Sequence, residues 1–471
     1  MSSEMNRGMN REMDWRKLLS THRLGTNKDD GADIRNAFVR DYDRLIFSSA
    51  FRRLQDKTQV FPLAKSDYVR TRLTHSLEVA SVGRSLGLLA GEAICDGQPA
   101  LRDVVDPHAL GTIVSTACLA HDIGNPPFGH AGESAIQEWF SDERLDRMEE
   151  WGLTETERQD FLSFEGNAQG FRTLAATQMP ERLGGMRLTN AVLATFAKYP
   201  RGSVLDKGIE RSTLDQGARK PGASGKKFSY MQSEKNLFAQ VAEDTGLLKK
   251  PGESAAWFRH PLAFLVEAAD DICYHVMDIE DGFKVGALSF DELRELHEPW
   301  SSIDQRPTSS GSSGNTSVDQ QSQAEYLRAK TINQLISEFV RAFKAHLPAM
   351  MRGEFDASLA EHIDYAAPFD AFKKTARQKV YHSKPVVEVE ACGFEVISGL
   401  LSFFSGAVED CATGAYKKRS ETLIRLMPVD IETLRRCKPY ERMLRVTDFV
   451  SSMTDSYAVA LYQRIRGIAL P

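Results

Sequence analysis

The sequence predicts a mostly α-helical protein. Apolar residues recur with helical spacing over long stretches, and alternating patterns typical of strands are scarce. In residues 73–91, five apolar residues fall near one helix face: Leu73, Leu77, Ala80, Leu86 and Leu89. VVEVEA (386–391) is the best candidate for a strand, and it is short. We therefore expect packed helices with a few short strands.

Three apolar helices stand out along the chain. The first covers residues 73–91, and the second is the apolar run 109–121, which ends at His121. The third covers residues 261–279 and opens with Pro261, a residue well suited to the first turn of a helix. Each of these helices carries histidine or aspartate among its apolar residues, so polar side chains are expected inside the protein.

Two segments lack helical periodicity. Residues 201–227 are rich in Gly, Lys and Arg, and residues 301–323 form a Ser/Gly/Gln tract that buries too little apolar surface to order itself. We therefore divide the chain into an N-terminal extension (1–34), a catalytic core (35–295), a flexible linker or loop (296–325) and a C-terminal helical region (326–471).

Composition is ordinary for a soluble globular chain. Of the 471 residues, 42% are hydrophobic and 26% charged, so a large core with an internal site is expected. The net charge of −6 argues against a general electrostatic binder of nucleic acid but leaves room for a local basic pocket.

Cysteine usage and hydropathy indicate a cytoplasmic protein. The six cysteines form no CxxC pair, which argues against a cysteine-rich zinc site and suits a reducing compartment. The segment MSSEMNRGMNREMDWRK lacks the apolar core of a signal peptide. Residues 392–408 are the most membrane-like, but they include Glu395 and three glycines, which favours a buried helix and no membrane association.

The stretch HDIGNPPFGHAGE opens with His121 and Asp122 at the end of an apolar helix. An HD dipeptide alone is common by chance, and by itself it favours no function. Other residues make a functional interpretation of this dipeptide more favourable: His75 on the preceding apolar helix, and the adjacent Asp270 and Asp271 on the later one. A buried aspartate is costly unless it is paired or bound to metal. Two histidines and two carboxylates from three helices predict a mixed nitrogen and oxygen site for a divalent ion.

The second half of this stretch begins a new helix. Pro126 and Pro127 must end the helix that carries His121, and HAGESAIQEWF starts the next one. Glu133 in its first turn has two interpretations. It complements the helix dipole, or it orients His130 for proton transfer.

The order His…His-Asp…Asp resembles the HD-domain metal-dependent phosphohydrolases. Seven segments between about residues 35 and 460 together resemble the bacterial deoxyguanosine triphosphate triphosphohydrolases: FRRLQDKTQVFPL, RTRLTHSLEVA, HDIGNPPFGHAGE, FEGNAQGFR, AKYP, EAADDICY and SSMTDSYA. The resemblance implies an HD-domain helical core and a C-terminal helical region that completes the nucleotide site. It also implies hydrolysis of deoxynucleoside triphosphates, dGTP preferred, to deoxynucleoside and inorganic tripolyphosphate.

The resemblance assigns four metal ligands: His75, His121, Asp122 and Asp270. Composition leaves Asp270 and Asp271 open, but the family pattern has Asp, Tyr and Asp at intervals of four. Asp270, Tyr274 and Asp278 fit it on one helix face, whereas Asp271 starts no such series. The implied cofactor is a divalent ion, Mn, Mg, Co, Ni or Fe. The resemblance further implies that His130 transfers protons, with Glu133 as its partner.

Cationic side chains are expected to hold the phosphates, because the chain contains no GxxxxGK[ST] loop. Arg72, Lys198 and Tyr199 match phosphate-contacting segments of the family, and Lys235 lies in a third segment preceded by loops of variable length. Taken alone, Arg72 is typical of a surface residue with a buried stem, and Lys235 of a solvated lysine.

Further matches concern the nucleoside. Gln59 matches a position that binds the sugar 3′-hydroxyl, and Asp278 is a second acceptor for it. Tyr274 would pack where a ribose 2′-hydroxyl would lie, although a tyrosine at this spacing is also an ordinary core residue. Asn167 is expected to support the site.

The base pocket is expected near VYHSKPVVEVEACGF (380–394), with Tyr381 and Glu390 as candidates. A glutamate accepts from the N1–H and 2-amino edge of guanine, but charges on strands usually face solvent. Ser456 stands where the family commonly has a charged residue.

Two other functions fit the same residues. One is an HD enzyme acting on another nucleotide, such as a monophosphate or a guanosine polyphosphate. The other is a regulator that binds nucleotide or single-stranded DNA, since residues 201–227 carry seven Lys and Arg. The resemblance also implies a homo-oligomer, often a hexamer, and a nucleotide effector as a further partner.

Overall fold

The computed structural model describes residues 12–25, 36–60, 70–103, 105–143, 145–204, 223–301, 317–381, 383–414 and 417–468. The α-helices within these ranges are α1 Trp15–Leu18, α2 Ala37–Ile46, α3 Ser49–Arg52, α4 Arg72–Gly97, α5 Pro107–Ala120, α6 His130–Glu138, α7 Leu145–Glu150, α8 Glu155–Leu162, α9 Gly166–Arg172, α10 Asn190–Phe196, α11 Lys235–Asp244, α12 Ala263–Lys284, α13 Phe290–Ser301, α14 Ser317–Met351, α15 Ala366–Thr375, α16 Lys384–Thr413, α17 Lys418–Ile424, α18 Ile431–Arg436, α19 Pro439–Ser451 and α20 Asp455–Arg466. Short 3₁₀ turns lie at Arg53–Asp56, Pro99–Leu101, Ala223–Gly225, Gln232–Glu234 and Leu359–His362, and π-helical turns at Trp139–Glu143, Thr173–Thr177 and Ala376–Val380. The predicted mostly α-helical fold is confirmed.

The predicted strand 386–391 is wrong, because these residues belong to α16. The three valines favour a strand locally, but the long apolar helix that follows them is packed and extends through them. Extended pairing in the described ranges consists of isolated bridges, such as Thr58 with Thr71 and Arg201 with Ala256.

The segments predicted to be irregular match the structure only in part. Helix α13 continues to Ser301 and α14 begins at Ser317, so both ends of the predicted 296–325 loop are helical, while 302–316 lie outside the described residues. Ala324 is buried, which explains why the helix reaches into the polar tract. Most of the basic segment 201–227 also lies outside the described residues. In the N-terminal extension, α1 buries Trp15 in the core.

Helices α4 and α5 form a close antiparallel pair that places two histidines at one end. Thr71 caps the start of α4 and Asp106 caps the start of α5. The helices approach closely at Gly87, where a Cβ atom would lie 2.9 Å from the Cα of Gly111. Because the helices run in opposite directions, His75 in the first turn of α4 lies beside His121, which directly follows α5.

Buried apolar residues form two clusters. The first packs α4, α5, α12, α14 and α15 together, and the second packs α6 and α8 against α16, α19 and α20. The loop between α5 and α6 joins them, since Ile123 belongs to the first cluster and Phe128 to the second. The C-terminal helices therefore reach the loop that carries the HD dipeptide.

Helix α16 is apolar enough over Val386–Thr413 to cross a membrane by length and composition, with half of its most apolar window buried. Leu400, Leu401 and Phe404 from this helix are fully buried in the second cluster. It therefore serves as a core helix of this fold, as predicted from the glycines and Glu395.

Candidate metal and nucleotide site

Three ligand atoms from three elements converge at the end of the α4–α5 pair. His75, His121 and Asp270 each offer one atom, and these atoms lie within 4.8 Å of one another. Nε2 of His75 and Nε2 of His121 are each 3.3 Å from Oδ1 of Asp270. The two histidines are buried, so the group lies inside the protein.

The tautomer of His121 is set by the backbone. Its Nδ1 lies 2.6 Å from the carbonyl oxygen of Cys118, to which it donates, so Nε2 carries the lone pair. That Nε2 is buried and makes no hydrogen bond. An imidazole nitrogen 3.3 Å from a carboxylate oxygen suits either a proton on Nε2 or a cation held by both atoms. Burial lowers the pKa of His121, but Asp122 and Asp270 outweigh it and raise the pKa. The donor set thus fits a divalent ion that accepts imidazole nitrogen and carboxylate oxygen.

Asp122 borders this group with both oxygens engaged. Oδ1 accepts from Nδ2 of Asn125 at 2.6 Å and Oδ2 accepts from a guanidinium nitrogen of Arg72 at 2.7 Å. Oδ1 is also 3.5 Å from Nε2 of His121. Burial raises the pKa of Asp122, but Arg72 and the two histidines hold it well below its usual value. The carboxyl therefore stays anionic and retains lone pairs toward the ligand group.

The structure places Asp270, and not Asp271, beside the histidines. Oδ2 of Asp270 accepts from Nζ of Lys198 at 2.6 Å, and this contact offsets burial and keeps the pKa of Asp270 well below its usual value. Burial, Glu267 and Asp270 raise the pKa of Asp271 to about 8. The neighbouring carboxylates of Glu267 and Asp270 thus favour the neutral form of Asp271.

Arg72 reaches the start of α6 across a glycine. Gly129 has φ of 58°, and a Cβ atom there would lie 2.5 Å from a guanidinium nitrogen of Arg72. Nε of Arg72 is buried without a hydrogen bond. Arg72 and Lys198 therefore both place positive charge beside the carboxylates of Asp122 and Asp270.

His130 and Glu133 occupy the first turn of α6, and Glu133 bonds another partner in this structure. Oε1 of Glu133 accepts from the backbone nitrogen of Gly166 at 2.7 Å, and no hydrogen bond between His130 and Glu133 occurs in the described residues. Partial removal from water, Arg72 and Lys227 lower the pKa of His130, which favours its neutral form at pH 7.

Sequence reasoning missed a charged pair behind His130. Nζ of Lys227 donates to Oε1 of Glu165 at 2.7 Å. Lys227 also lowers the pKa of Glu133, whose pKa is raised overall by burial. Glu165 lies inside the quoted FEGNAQ segment, and Lys227 ends the basic segment 201–227, so both residues were visible but were not assigned to the site.

Three of the residues expected near the nucleoside, Tyr274, Asp278 and Tyr381, form a second group. The hydroxyl of Tyr381 donates to Oδ2 of Asp278 at 2.6 Å, and the rings of Tyr274 and Tyr381 are 5.7 Å apart. Burial raises the pKa of Asp278 well above its usual value. Oε1 of Gln59 is buried without a donor among the described residues. Tyr274 and Asp278 follow Asp270 by one and two turns of α12, so the group extends from the candidate metal ligands along one helix face.

The remaining predicted contacts are more scattered. Tyr199 donates from its backbone nitrogen to Oγ of Ser229, and Nδ2 of Asn167 donates to Oε1 of Glu165. Lys235 starts α11 and lines a separate cavity of about 70 Å³. Glu390 is exposed on α16, not on a strand as expected. No described contact joins Lys235 or Glu390 to the metal ligands.

The C-terminal segment SSMTDSYA fixes the loop between the two histidines of HDIGNPPFGHAGE. Oδ1 of Asp455 accepts from the backbone nitrogen of Phe128, and Oδ2 accepts from the backbone and hydroxyl of Thr58. Nζ of Lys57 donates to the backbone oxygens of Asn125 at 2.6 Å and Ser451 at 2.8 Å. Ser456, which stands where the family commonly has a charged residue, donates to Asp56 at the surface.

These features define a metal-dependent phosphohydrolase of the HD class, and sequence comparison agrees. Residues 72–187 match the HD domain, and residues 360–464 match a phosphohydrolase-associated domain. The chain belongs to the family of deoxyguanosine triphosphate triphosphohydrolases and their like proteins. Membership of this family supports a phosphohydrolase activity on nucleotides.

Three relatives illustrate the match. A deoxyguanosinetriphosphate triphosphohydrolase-like protein from Synechocystis is 43% identical over 97% of this chain and all of its own length. One from Pseudomonas aeruginosa is 39% identical over 98% of this chain and all of its own. The deoxyguanosinetriphosphate triphosphohydrolase from Klebsiella pneumoniae is 32% identical over 97% of this chain and 98% of its own length. The similarity thus extends over nearly the whole chain.

Proposed function

We propose that the protein hydrolyses deoxynucleoside triphosphates, with dGTP preferred, to deoxynucleoside and inorganic tripolyphosphate. The observation that carries this proposal is the buried convergence of His75, His121 and Asp270 beside the cations Arg72 and Lys198. The preference for dGTP is supported by the similarity to the Klebsiella relative, which is named a deoxyguanosinetriphosphate triphosphohydrolase.

The ion would be held by His75, His121 and Asp270, with Asp122 as the fourth ligand. When bound, a divalent ion polarises an α-phosphate oxygen and lowers the pKa of a water molecule. Mn, Mg, Co, Ni and Fe all accept this donor set. The cations Arg72 and Lys198 already border the ligand carboxylates, and they neutralise negative charge on the phosphates without moving far.

Water attacks the α-phosphorus, and the bond from that phosphorus to the 5′ oxygen breaks. The water oxygen stays with tripolyphosphate, and the 5′ oxygen leaves with the deoxynucleoside after gaining a proton. His130 is placed to transfer protons in this step because its lowered pKa keeps the imidazole neutral and able to accept one. Glu133 fixes the start of α9 through the hydrogen bond that it accepts from Gly166.

Selection of the deoxynucleoside falls to the group around Tyr274. Gln59 offers a buried acceptor without a donor, and Asp278 and Tyr381 offer a paired carboxyl and hydroxyl for the sugar. The ring of Tyr274 then leaves little space for a 2′-hydroxyl. The C-terminal helical region completes the nucleotide site in this proposal, supported by Tyr381 and by the bonds of Asp455 to the HD loop.

The remaining proposals concern the cellular compartment and the partners of the protein. The six cysteines are free, which supports a reducing cytoplasm. We propose a homo-oligomer with a nucleotide effector as a further partner, consistent with the family resemblance.

The test is chromatography of products from purified protein, Mn²⁺ and dGTP in ¹⁸O-labelled water. Deoxyguanosine and tripolyphosphate are expected, with the label in tripolyphosphate. The His121→Ala variant should give neither product, and His108→Ala, an exposed histidine on α5, should give both. Formation of dGDP or dGMP, or label in deoxyguanosine, contradicts the proposal.

A further inference from the structure

Asn125 lies three residues after Asp122, in the turn between α5 and α6, and its side chain contacts that carboxylate. Nδ2 of Asn125 donates to Oδ1 of Asp122 at 2.6 Å. The reverse orientation of the amide would place its oxygen against the carboxylate oxygen, and two acceptors repel each other. The amide is therefore held with its donor toward Asp122.

The backbone of Asn125 is held on both sides. Its N–H donates to the carbonyl oxygen of Asp122 at 3.1 Å, and its own carbonyl oxygen accepts from Nζ of Lys57 at 2.6 Å. Lys57 is only 3% exposed, so little water competes for this bond. Pro126 follows directly and narrows the backbone conformations open to Asn125. The side chain of Asn125 therefore extends from a fixed point.

The amide oxygen of Asn125 packs against the first residue of α9, Gly166. A Cβ atom at Gly166 would overlap with both Oδ1 of Asn125 and Oε1 of Glu133. Gly166 is buried, and its N–H donates to Oε1 of Glu133 at 2.7 Å. The side chain of Asn125 is thus enclosed between Asp122 and the start of α9.

Asn125 and Arg72 donate to different oxygens of the Asp122 carboxylate. Arg72 donates to Oδ2 at 2.7 Å, and Asn125 donates to Oδ1, the oxygen that lies 3.5 Å from Nε2 of His121. An ionised carboxylate oxygen has two lone pairs, so Oδ1 keeps one besides the pair that Asn125 uses. Because the two donors hold separate oxygens, the carboxylate has little freedom to rotate.

We propose that Asn125 is a positioning residue that orients Asp122 for a divalent ion. The inference rests on the proposed function, because it takes Asp122 as the fourth ligand. His121 has an orienting partner in the carbonyl oxygen of Cys118, and Asn125 serves Asp122 in the same way. Replacing such a partner lowers metal affinity by about 10- to 100-fold. In this role Asn125 acts through Asp122 and is not itself a ligand.

The test is calorimetric titration of Mn²⁺ into the full chain after EDTA has removed bound metal and has itself been dialysed away. Asn125→Leu keeps the shape of the side chain and adds no charge, but it removes the donor. This variant should bind Mn²⁺ about 10- to 100-fold more weakly than the unaltered protein. The matched control Asn333→Leu makes the same change on the exposed face of α14 and should leave the affinity unchanged. Equal affinity of Asn125→Leu and the unaltered protein overturns the proposal.

A second variant covers failure of the first to fold. Asn125→Ala also removes the donor, and its smaller side chain cannot clash with Gly166 or Glu133. It should show a loss of Mn²⁺ affinity in the same range, and an affinity equal to that of the unaltered protein overturns the proposal.

A double-mutant cycle separates positioning from a merely structural role. Asp122→Ala should weaken Mn²⁺ binding, and adding Asn125→Leu to it should weaken binding no further, because the residue through which Asn125 acts is already lost. A further loss as large as in the single variant overturns the proposal. Unchanged affinity of Asp122→Ala overturns it together with the proposed ligand set. The expected pattern of Mn²⁺ binding in a protein that does not hydrolyse dGTP would support this inference and contradict only the proposed function.

Discussion

The backbone nitrogen of Phe128 donates a 3.0 Å hydrogen bond to Oδ1 of Asp455, a residue 327 positions further along the chain. Phe128 has φ of 64°, a left-handed conformation that costs a non-glycine residue about 1–2 kcal/mol. The bond to Asp455 stabilises this conformation. The loop between His121 and His130 therefore depends on the first turn of the last helix for its shape.

Replacing Asp455 by alanine should destabilise the protein. The change removes the acceptor for the buried N–H of Phe128 and for two part-buried donors of Thr58, its N–H and its hydroxyl. Each unpaired buried group costs about 1–3 kcal/mol, so we expect a loss of about 2–4 kcal/mol in the free energy of unfolding, measured with urea. Ser456→Ala removes one exposed hydrogen bond and should change it by less than about 0.5 kcal/mol. Equal stability of the two variants would argue against this role of Asp455.

The two histidines of HDIGNPPFGHAGE should fail in different ways when replaced. His121→Ala removes a ligand atom and should weaken metal binding by more than about 100-fold, because changes to residues that merely orient a ligand already cost about 10- to 100-fold. His130→Ala should retain the metal and lower turnover by about 10²- to 10⁴-fold, the usual contribution of proton transfer. Mass spectrometry measures the metal content and a dGTP assay measures turnover, so the two measurements distinguish loss of the metal from loss of proton transfer.

The control for this pair is His108→Ala, an exposed residue of α5. This variant should retain both metal and turnover. That result would show that loss of a histidine from this region does not by itself lower metal content or activity. Loss of metal from His130→Ala would show that the stretch does not divide into a metal half and a proton-transfer half.

The group of His75, His121 and Asp270 could be predicted because of where these residues occur in the sequence. His75, His121 and Asp270 interrupt long apolar helices, and the cost of burying such groups makes them visible without a structure. Asp270 was separable from Asp271 only through the family spacing to Tyr274, and the structure places Asp270 beside the histidines.

The contacts that hold the site were not predictable. Lys57 bonds the backbone oxygen of Ser451, 394 positions away, and nothing in a local pattern indicates such a partner. Lys227 ends a basic segment that, by composition, looked like a solvated loop. Glu390 was misplaced because a short alternating pattern was taken for a strand, whereas packing of the rest of α16 decides the conformation there.

Acid should destabilise the fold through buried neutral histidines. Burial lowers the pKa of His260 and of His297 to about 4 in the folded protein, whereas an unfolded histidine has a pKa of about 6.5. As pH falls from 6.5 to 4, these histidines therefore become protonated in the unfolded chain but stay neutral in the folded chain. Stability is retained above pH 6.5 and falls through this window. Each histidine should contribute a loss of about 2 kcal/mol between pH 7 and pH 5.

The contribution of His297 is isolated by His297→Asn, since an amide can still bond the Thr331 hydroxyl that Nδ1 of His297 contacts at 2.7 Å. Urea unfolding at pH 7 and pH 5 should show a pH-dependent loss that is about 2 kcal/mol smaller in this variant than in the wild type. His108→Asn, on the exposed face of α5, should leave the loss unchanged. An identical loss in all three proteins would mean that His297 is not kept neutral by the fold.

Tyr274 should determine the discrimination against ribonucleotides. Its ring is held 5.7 Å from that of Tyr381, whose hydroxyl in turn bonds Asp278, so the ring cannot easily move away from a 2′-hydroxyl. Tyr274→Ala opens this space and should reduce the ratio of kcat/KM for dGTP to that for GTP by about 10- to 200-fold, the range for one small group in a close-fitting pocket. Tyr274→Phe retains the ring and should keep the ratio close to wild type. If the alanine and phenylalanine variants discriminate equally well, the ring does not exclude the 2′-hydroxyl, and selection must come from other contacts with the sugar.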